Sequence, residues 1–276
     1  MPTRLVIGLL AVIGIYNLTL ARSAQSTQKT TIDPAANLRD FQAIEFRRYS
    51  IKPGARQHFA QYFESYFPEA FEQQGAIVEG SFFERKKQNG FTWIRGFHTM
   101  DARAVLNAAF YYGPLWREHR ELMNSFIDDS DNVLLLRPLT PDRGIIVLPS
   151  VDPVTEAGGA AGVVVAQIFA LKPDGVEAFA KAAEPVFAAY RASGAREAGV
   201  LVTLDAKNNF PQLPVRTDGP FLIWLGVLED SRTLQASFTP EEERALPALL
   251  ATGLLREAPE LIVLDPTPRS RLRWLR

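Results

Sequence analysis

Residues 91–96 read FTWIRG, and residues 221–226 read FLIWLG. Both stretches are rich in β-branched and aromatic residues, which is typical of strands buried in a sheet. Each stretch occupies the same position in an order of predicted elements that occurs twice: strand, helix, two strands, helix, strand. Two more pairs of similar stretches occupy matching positions in the two series. They are SIKPG at residues 50–54 with ALKPDG at 170–175, and VLLLRP at 133–138 with LIVLDP at 261–266. We therefore expect two copies of one structural unit.

The repeated order of elements is that of a ferredoxin-like βαββαβ module in the α+β class. In such a module two helices cover one face of a four-stranded antiparallel sheet, and the other face is polar where it meets solvent. In Phe221–Leu228, however, both alternating sets of side chains are apolar. We therefore predict two tandem ferredoxin-like modules that pack sheet to sheet as a pseudo-dimer within one chain, with a barrel-like core.

The predicted boundaries divide the chain into six parts. These are a signal peptide (1–24), a flexible lead-in (25–39), a first module (40–140), a linker (141–161), a second module (162–268) and a basic tail (269–276). Arg4 precedes an apolar run from Leu5 to Tyr16, which is too short to cross a bilayer as a helix and fits a signal peptide. We expect an exported, periplasmic or secreted protein with no transmembrane span in the mature chain. An uncleaved anchor is the alternative.

Composition excludes several kinds of chemistry. The chain has no cysteine, so thiolate catalysis, zinc-thiolate sites and iron–sulfur clusters are excluded. Its formal net charge of −1 gives no indication of a nucleic-acid partner. His58, His98 and His119 lack the spacing of metal ligands, and we predict no metal site.

Two charged segments have alternative interpretations. Residues 128–132 read DDSDN, and without the glycine and distal glutamate of a calcium loop they are interpreted as a polar turn between a helix and a strand. The arginines of the tail, interleaved with Trp274, could contact an anionic membrane surface. The favoured alternative is a chain end with Trp274 packed on the barrel.

His119 is the first candidate for chemistry. On a helix that starts at Pro114 it falls on the apolar side, so it should face the core or a cavity. An imidazole there could be a general base, a hydrogen-bond anchor for a ligand or a haem ligand. The alternative is a buried histidine that is hydrogen-bonded within the protein. The second half of the chain has no histidine.

Arg95 and several aromatic residues form a second group of candidates. Arg95 alternates with Trp93 and Phe97 on one strand face, where a guanidinium could hold an anionic group. The alternative is an ion pair with Glu45 or Glu79. Trp93, Tyr111, Tyr112 and Trp116 could line an apolar pocket, or they could be ordinary core residues.

The residues of the first half also resemble a known family. RGF at residues 95–97, Met100 and Arg103, FYYGPLW at 110–116, His119-Arg120, and DSDNVLLLRP at 129–138 look like the signature of NIPSNAP proteins, which belong to the dimeric α/β-barrel superfamily. The resemblance covers about Phe46 to Pro138. It implies the ferredoxin-like fold predicted above. It implies little about activity, because the superfamily includes cofactor-free monooxygenases, lactone isomerases, haem-binding enzymes and plain binding modules.

Three functional hypotheses follow from these residues and the resemblance. The first is a barrel that binds or transforms a small, apolar or anionic organic molecule. Its site comprises His119 as the catalytic residue and, for ligand binding, Arg95, Trp93, Phe97, Tyr111, Trp116 and Arg120; as an enzyme it would resemble a cofactor-free monooxygenase or isomerase. The second is a non-catalytic structural or protein-interaction module, which would form a homo-oligomer. The third is haem binding through His119; otherwise no cofactor is expected.

Overall fold

The computed structural model describes residues Asp40–Leu275. The predicted signal peptide and flexible lead-in lie outside these residues, so both stay predictions. The strands are β1 (Ala43–Ile51), β2 (Ala76–Glu84), β3 (Gly90–Phe97), β4 (Ile127–Pro138), β5 (Val163–Ala170), β6 (Arg196–Thr203), β7 (Phe221–Leu228) and β8 (Glu260–Pro266). The helices are α1 (Arg56–Tyr66), α2 (Pro68–Gln73), α3 (Met100–Tyr111), α4 (Pro114–Phe126), α5 (Val176–Ala192), the short α6 (Ser231–Thr233) and α7 (Thr239–Ala251).

The strands form one closed antiparallel barrel in the order β1-β3-β2-β8-β5-β7-β6-β4. Strands β1 to β4 come from the first half of the chain and β5 to β8 from the second. The two groups join edge to edge, through the β2–β8 pairing at Phe82–Pro266 and the β4–β6 pairing at Leu136–Thr203. The α+β class and a barrel built from eight strands are therefore confirmed.

Both faces of the strands are buried, as the apolar pattern predicts. One alternating set, which includes Ile44, Ile94, Ile223 and Leu264, meets across the barrel in a single core. The opposite set packs under helices, in one cluster for each half of the chain. Apolar side chains thus form the core of the barrel, and the helices cover its outer surface.

Prolines mark two helix boundaries in the first half. α1 ends at Tyr66 and α2 begins with Pro68 at its first position, where a missing N–H costs nothing. Pro114 in the same way begins α4 after the Tyr112–Gly113 break. These breaks turn α2 and α4 back over the first-half sheet, so that all four helices of this half contribute to its outer cluster.

The prediction of a polar turn at residues 128–132 is wrong. These residues belong to β4, which starts at Ile127. β1 supplies backbone partners along this stretch, opposing Ser50 to Asp129 and Arg48 to Asn132 with irregular register. The acidic side chains stay in solvent at the exposed end of the strand, so their polarity does not prevent pairing.

The predicted linker and the basic tail both pack on the barrel. Ile145, within the linker, is part of the barrel core, and Arg143 pairs with Glu184 and Glu197. In the tail, Leu272 is buried in the barrel core and Trp274 packs against it. The tail arginines form ion pairs with carboxylates, Arg269 with Glu69, Arg271 with Glu72 and Arg273 with Glu156. The structure agrees with the second interpretation of the tail, a chain end with Trp274 packed on the barrel.

Membrane-spanning helices are not found in the described part. None of the helices between Asp40 and Leu275 combines the length and the apolar character that crossing a bilayer requires.

Candidate functional site

A cavity of about 370 Å³ lies between the outer face of the first-half sheet and the helices that cover it. Because this cavity lies on the outer face of the sheet, the hypothesis of a ligand within the barrel itself stays a prediction. The walls are mostly aromatic, with a few polar groups. They comprise Arg47, Tyr49, Phe59, Phe63, Phe67, Phe71, Trp93, Phe110, Tyr111, Tyr112, Trp116, Met123, Asn124, Ile127, Ser130, Phe210, Gln212, Leu213 and Pro214.

One carboxylate beside this cavity binds three arginines. Glu45 Oε2 accepts hydrogen bonds from Arg95 Nη2 at 2.7 Å and from Arg47 Nη1 at 2.9 Å. Glu45 Oε1 accepts a hydrogen bond from Arg103 Nε at 2.6 Å. All four side chains are at most 1% exposed. We call these four residues the Glu45 cluster.

The Glu45 cluster carries a surplus of positive charge. Burial alone would raise the pKa of Glu45, but the charges of Arg95, Arg47 and Arg103 hold this pKa well below its ordinary value. One carboxylate against three guanidinium groups leaves two positive charges uncompensated within the cluster. Arg95 Nη1 and Arg103 Nη2 are buried without a hydrogen-bond partner among the described residues. The cluster is therefore a buried site that still has donors and charge to offer an anion.

Arg47 connects the cluster to the cavity. Its position on β1 places it opposite Trp93 of β3, and both residues line the cavity. Arg47 Nε donates to the Tyr49 hydroxyl at 2.9 Å, and its guanidinium carbon lies 5.5 Å from the ring centroids of Tyr49 and Trp93. An anionic group in the cavity can therefore reach a preorganised guanidinium.

Most of the remaining wall residues are aromatic, and their rings contact one another either edge to face or stacked. The rings of Tyr49 and Trp93 meet at 6.0 Å and 87°, and Phe63 approaches Trp93 at 5.0 Å. Trp116 closes another side, 5.1 Å from Tyr111. Ring contacts of this kind hold the aromatic walls in place and favour an apolar molecule in the cavity.

The structure divides the predicted site residues into two groups. Trp93, Tyr111 and Trp116 line the cavity. Arg95 is absent from its wall and forms the ion pair with Glu45, one of the two alternatives for this residue. Phe97 is buried beneath Arg95, whose guanidinium lies 5.0 Å from its ring centroid, and Arg120 is exposed on α4. The ligand-binding roles of these last three residues stay predictions.

His119 lies away from the cavity wall. It is 8% exposed, and its Nδ1 is hydrogen-bonded to the Tyr62 hydroxyl at 2.5 Å. Its ring is tilted against Tyr66, with 4.2 Å between centroids. A haem held by His119 does not fit this arrangement, because the imidazole is packed between tyrosines and borders no part of the cavity. A catalytic role for His119 stays a prediction.

Several residues of the site were not among the predicted ones. Glu45 and Arg47 alternate on a buried strand, and charged residues at every second position of an apolar strand were a usable signal. Arg103 entered the sequence analysis only through the family resemblance. Phe210 and Gln212 come from the loop between β6 and β7 in the second half, and no local pattern indicates that they reach this cavity.

The second half has no equivalent of the Glu45 cluster. Gln167 of β5 opposes Trp224 of β7, as Arg47 of β1 opposes Trp93 of β3. Val165, two positions before Gln167, replaces Glu45. Tyr190 and Phe238 pack on the Trp224 ring, with 5.1 and 6.0 Å between ring centroids, and occupy the space above the strand. The charged part of the candidate site is therefore found on the first-half sheet alone among the described residues, although the β6–β7 loop of the second half contributes to the cavity wall.

The fold is similar to that of dimeric α/β-barrel proteins. An anthrone oxidase-like protein aligns with a TM-score of 0.54 and 10% identity, over 84% of this chain and 93% of that one. A candidate monooxygenase of Fusobacterium nucleatum aligns with a TM-score of 0.53 and 9% identity, over 85% and 96%. At this identity the similarity establishes the fold alone.

Similar solved structures also include NIPSNAP proteins, the family named from the first-half residues. One NIPSNAP family protein of unknown function, from Agrobacterium tumefaciens, is 22% identical, with a TM-score of 0.34 over 37% of this chain and 94% of that one. No family model matches the chain, and no curated protein matches it.

Proposed function

We propose that the cavity binds a small, planar, mostly apolar organic acid whose anionic group pairs with Arg47. The observation that carries the proposal is the buried surplus of positive charge in the Glu45 cluster, which reaches an aromatic cavity through Arg47. An anion from the ligand would compensate part of this charge. The aromatic rings would bury the rest of the molecule.

Electrostatics favour an acid over a neutral or cationic ligand. A buried charge is costly unless it is paired, and the cluster has one carboxylate for three guanidinium groups. A carboxylate on Arg47 forms charge-assisted hydrogen bonds in a site with little water, where such bonds are strong. An ammonium group at the same place would add to the surplus instead.

The size of the cavity limits the ligand. About 370 Å³ is near the lower end of the range for small-molecule pockets, roughly 300–1,000 Å³. A planar acid of two or three fused rings matches this volume and the aromatic walls, which include Trp93 and Trp116. Long flexible chains and macrocycles do not match the volume of this cavity.

The binding proposal is tested with a charge-matched pair of probes. Trp93 and Trp116 line the cavity, so their fluorescence should report 2-naphthoate binding, and 2-naphthalenemethanol is the neutral control of the same shape. We expect at least tenfold weaker binding of the alcohol. Equal affinities for the two probes would contradict the proposal.

Variants of Arg47 locate the anion. Arg47→Gln should remove the preference for the acid, whereas Arg47→Lys, which keeps the charge, should retain part of it. Arg120→Gln is the matched control because Arg120 is exposed on α4. Circular dichroism establishes that each variant is folded before its binding is compared. A preference for the acid that survives Arg47→Gln would place the anion elsewhere.

An oxygenation of the bound molecule is the second candidate function. It is supported by the names of two structures that share the fold over more than four fifths of this chain, a candidate monooxygenase and an anthrone oxidase-like protein. Oxygen uptake by the purified protein with a hydroxynaphthoate would support it. Binding without uptake would leave ligand binding as the function.

We further propose that the barrel arose as a tandem pair of ferredoxin-like modules and that the protein is exported. The matching pairings of β1 with β3 and of β5 with β7 support the duplication. The apolar run behind Arg4 supports export. Sequencing the N-terminus of the exported protein should find a start near Arg22 or Gln25; an intact Met1 in that fraction would contradict cleavage.

A further inference from the structure

The loop between β6 and β7, residues 204–220, belongs to the second half but covers the first-half cavity. Phe210, Gln212, Leu213 and Pro214 of this loop form one wall. We propose that the loop is a lid over the bound acid and that Phe210 determines the length of acid that the cavity accepts. This inference rests on the ligand-binding function proposed above.

The ends of the loop are fixed to the barrel. Leu204 N donates to Leu135 O at 3.0 Å, and Arg216 N donates to Val133 O at 2.8 Å, both on β4. Between these two points the backbone closes turns within the loop, as from Leu213 N to Phe210 O at 3.0 Å. The described residues 205–215 thus form a compact flap held at two points on one strand.

Side-chain hydrogen bonds hold the flap down on α3. Arg103 Nη1 donates to Asn208 Oδ1 at 3.0 Å and to Asn209 Oδ1 at 2.8 Å. Asn209 Nδ2 donates to Met100 O at 2.6 Å. We call this set of bonds the latch. Opening the flap would exchange these hydrogen bonds for hydrogen bonds to water.

Phe210 forms the apolar part of the seal. It is buried and lies 5.9 Å from the Tyr111 ring and 6.1 Å from the Tyr112 ring, measured between centroids. Gln212 Nε2 donates to the Tyr112 hydroxyl at 3.0 Å beside it. Tyr111 and Tyr112 also line the cavity. The Phe210 ring therefore closes the cavity at the end that faces the loop.

Open space lies behind the flap. A cleft of about 820 Å³ is bordered by the reverse side of the loop, at residues such as Asp205, Ala206 and Val215, and by Pro173 and Val176 at the start of α5. The flap therefore has a cavity in front and room behind. It can swing outward without displacing the barrel core.

The latch and the proposed anion site share one carboxylate. Arg103 binds Glu45 Oε1, while Arg47 binds Glu45 Oε2. An anion that neutralises charge at Arg47 stabilises the whole cluster and holds Arg103 in the position from which it binds Asn208 and Asn209. Ligand binding should therefore favour the closed flap.

The lid is tested with the full-length protein by opening the latch. The double variant N208A/N209A should increase amide hydrogen exchange of residues 205–215 at least fivefold without ligand, and leave β3 unchanged. Lys207→Ala is the matched control, because Lys207 is exposed on the same loop. This measurement needs no ligand, so it separates failure of the lid from failure of the binding proposal. Equal exchange in the double variant and the wild type would overturn the lid.

Stopped-flow fluorescence with 2-naphthoate tests the effect on the ligand. In N208A/N209A the association and dissociation rate constants should both rise at least threefold, because the flap no longer limits entry and exit. Unchanged rate constants, in a wild type that binds 2-naphthoate, would overturn the proposed gating.

Selection by Phe210 is tested with acids of two lengths. Phe210→Ala should shift the ratio of affinities for 2-anthroate and 2-naphthoate at least tenfold toward the longer anthroate. An unchanged ratio would overturn the role of Phe210 while leaving the lid in place.

Discussion

Glu45 and Arg103 are 58 positions apart in the chain, yet the Glu45 Oε1 and Arg103 Nε atoms lie 2.6 Å apart in a fully buried contact. The contact joins the first strand of the barrel to the helix that covers it. It also joins the charge surplus beside the cavity to the loop that covers the cavity.

Removing the carboxylate should destabilise the protein strongly. Glu45→Gln leaves three buried guanidinium groups without their common counter-ion, and breaking a buried ion pair in this way typically costs about 3–5 kcal/mol. Urea unfolding followed by circular dichroism measures the change. Glu118→Gln on the exposed side of α4 is the control and should change stability by less than about 0.5 kcal/mol. A loss below about 1 kcal/mol at position 45 would show that the surplus charge is compensated in another way.

Glu79 should make stability fall as the pH rises. Its carboxyl group is buried without a partner among the described residues, and burial raises its pKa to about 8. Between the unfolded pKa of about 4.5 and a folded pKa of about 8, the folded protein holds a proton that the unfolded chain has released. Stability therefore decreases with rising pH in this window, by up to about 1.4 kcal/mol per pH unit.

The variant Glu79→Gln tests this assignment. It keeps the shape of the side chain but cannot titrate, so the free energy of unfolding should depend less steeply on pH between 5 and 8. Glu118→Gln again serves as the control, with the slope of the wild type. If the free energy of unfolding depends on pH equally steeply in Glu79→Gln and in the wild type, Glu79 does not titrate in this range.

His119→Gln distinguishes a structural histidine from a functional one. The hydrogen bond to Tyr62 and the packing against Tyr66 predict a loss of roughly 1 kcal/mol in stability. The affinity for 2-naphthoate should stay within twofold of the wild type, because His119 does not border the cavity. Tyr62→Phe should give a similar loss of stability. A large loss of binding or turnover in His119→Gln alone would support the predicted catalytic role.

The tail should contribute to the barrel core. Leu272 is buried among residues of both halves, so Leu272→Ala should cost about 2–4 kcal/mol. Leu250→Ala is the control, since Leu250 is 46% exposed on α7, and it should cost less than about 0.5 kcal/mol. Thermal and urea unfolding measure both. Equal effects of the two substitutions would mean that the barrel is closed without the tail.

The repeated elements of the fold could be predicted from the sequence because their signals are local. Alternation along Phe221–Leu228 indicates a strand buried on both faces, and Pro68 marks a helix boundary from neighbouring residues alone. The prediction for the polar residues 128–132 was wrong because they form a strand through pairing with β1, which their own side chains do not indicate. Pairing of this kind joins segments that are distant in sequence.

The candidate site could be predicted only in part, for the same reason. Trp93, Tyr111 and Trp116 were identified as possible walls, because clustered aromatic residues are visible in one segment. On a strand buried on both faces, however, periodicity does not say which face borders a cavity. Phe210 lies on a loop of the second half that reaches the first-half cavity. The amino-acid sequence of this loop does not indicate that contact.

Closure of the barrel within a single chain has a consequence for how the two halves can change. The edges β2 and β4 of the first half pair with β8 and β6 of the second, so the barrel forms at any protein concentration. In a symmetric assembly of two identical chains, every substitution appears on both sides of the interface. Here each side can accumulate its own substitutions. The first-half sheet carries charges beside a cavity, whereas the second-half sheet is packed under its helices and its β6–β7 loop forms part of the cavity wall.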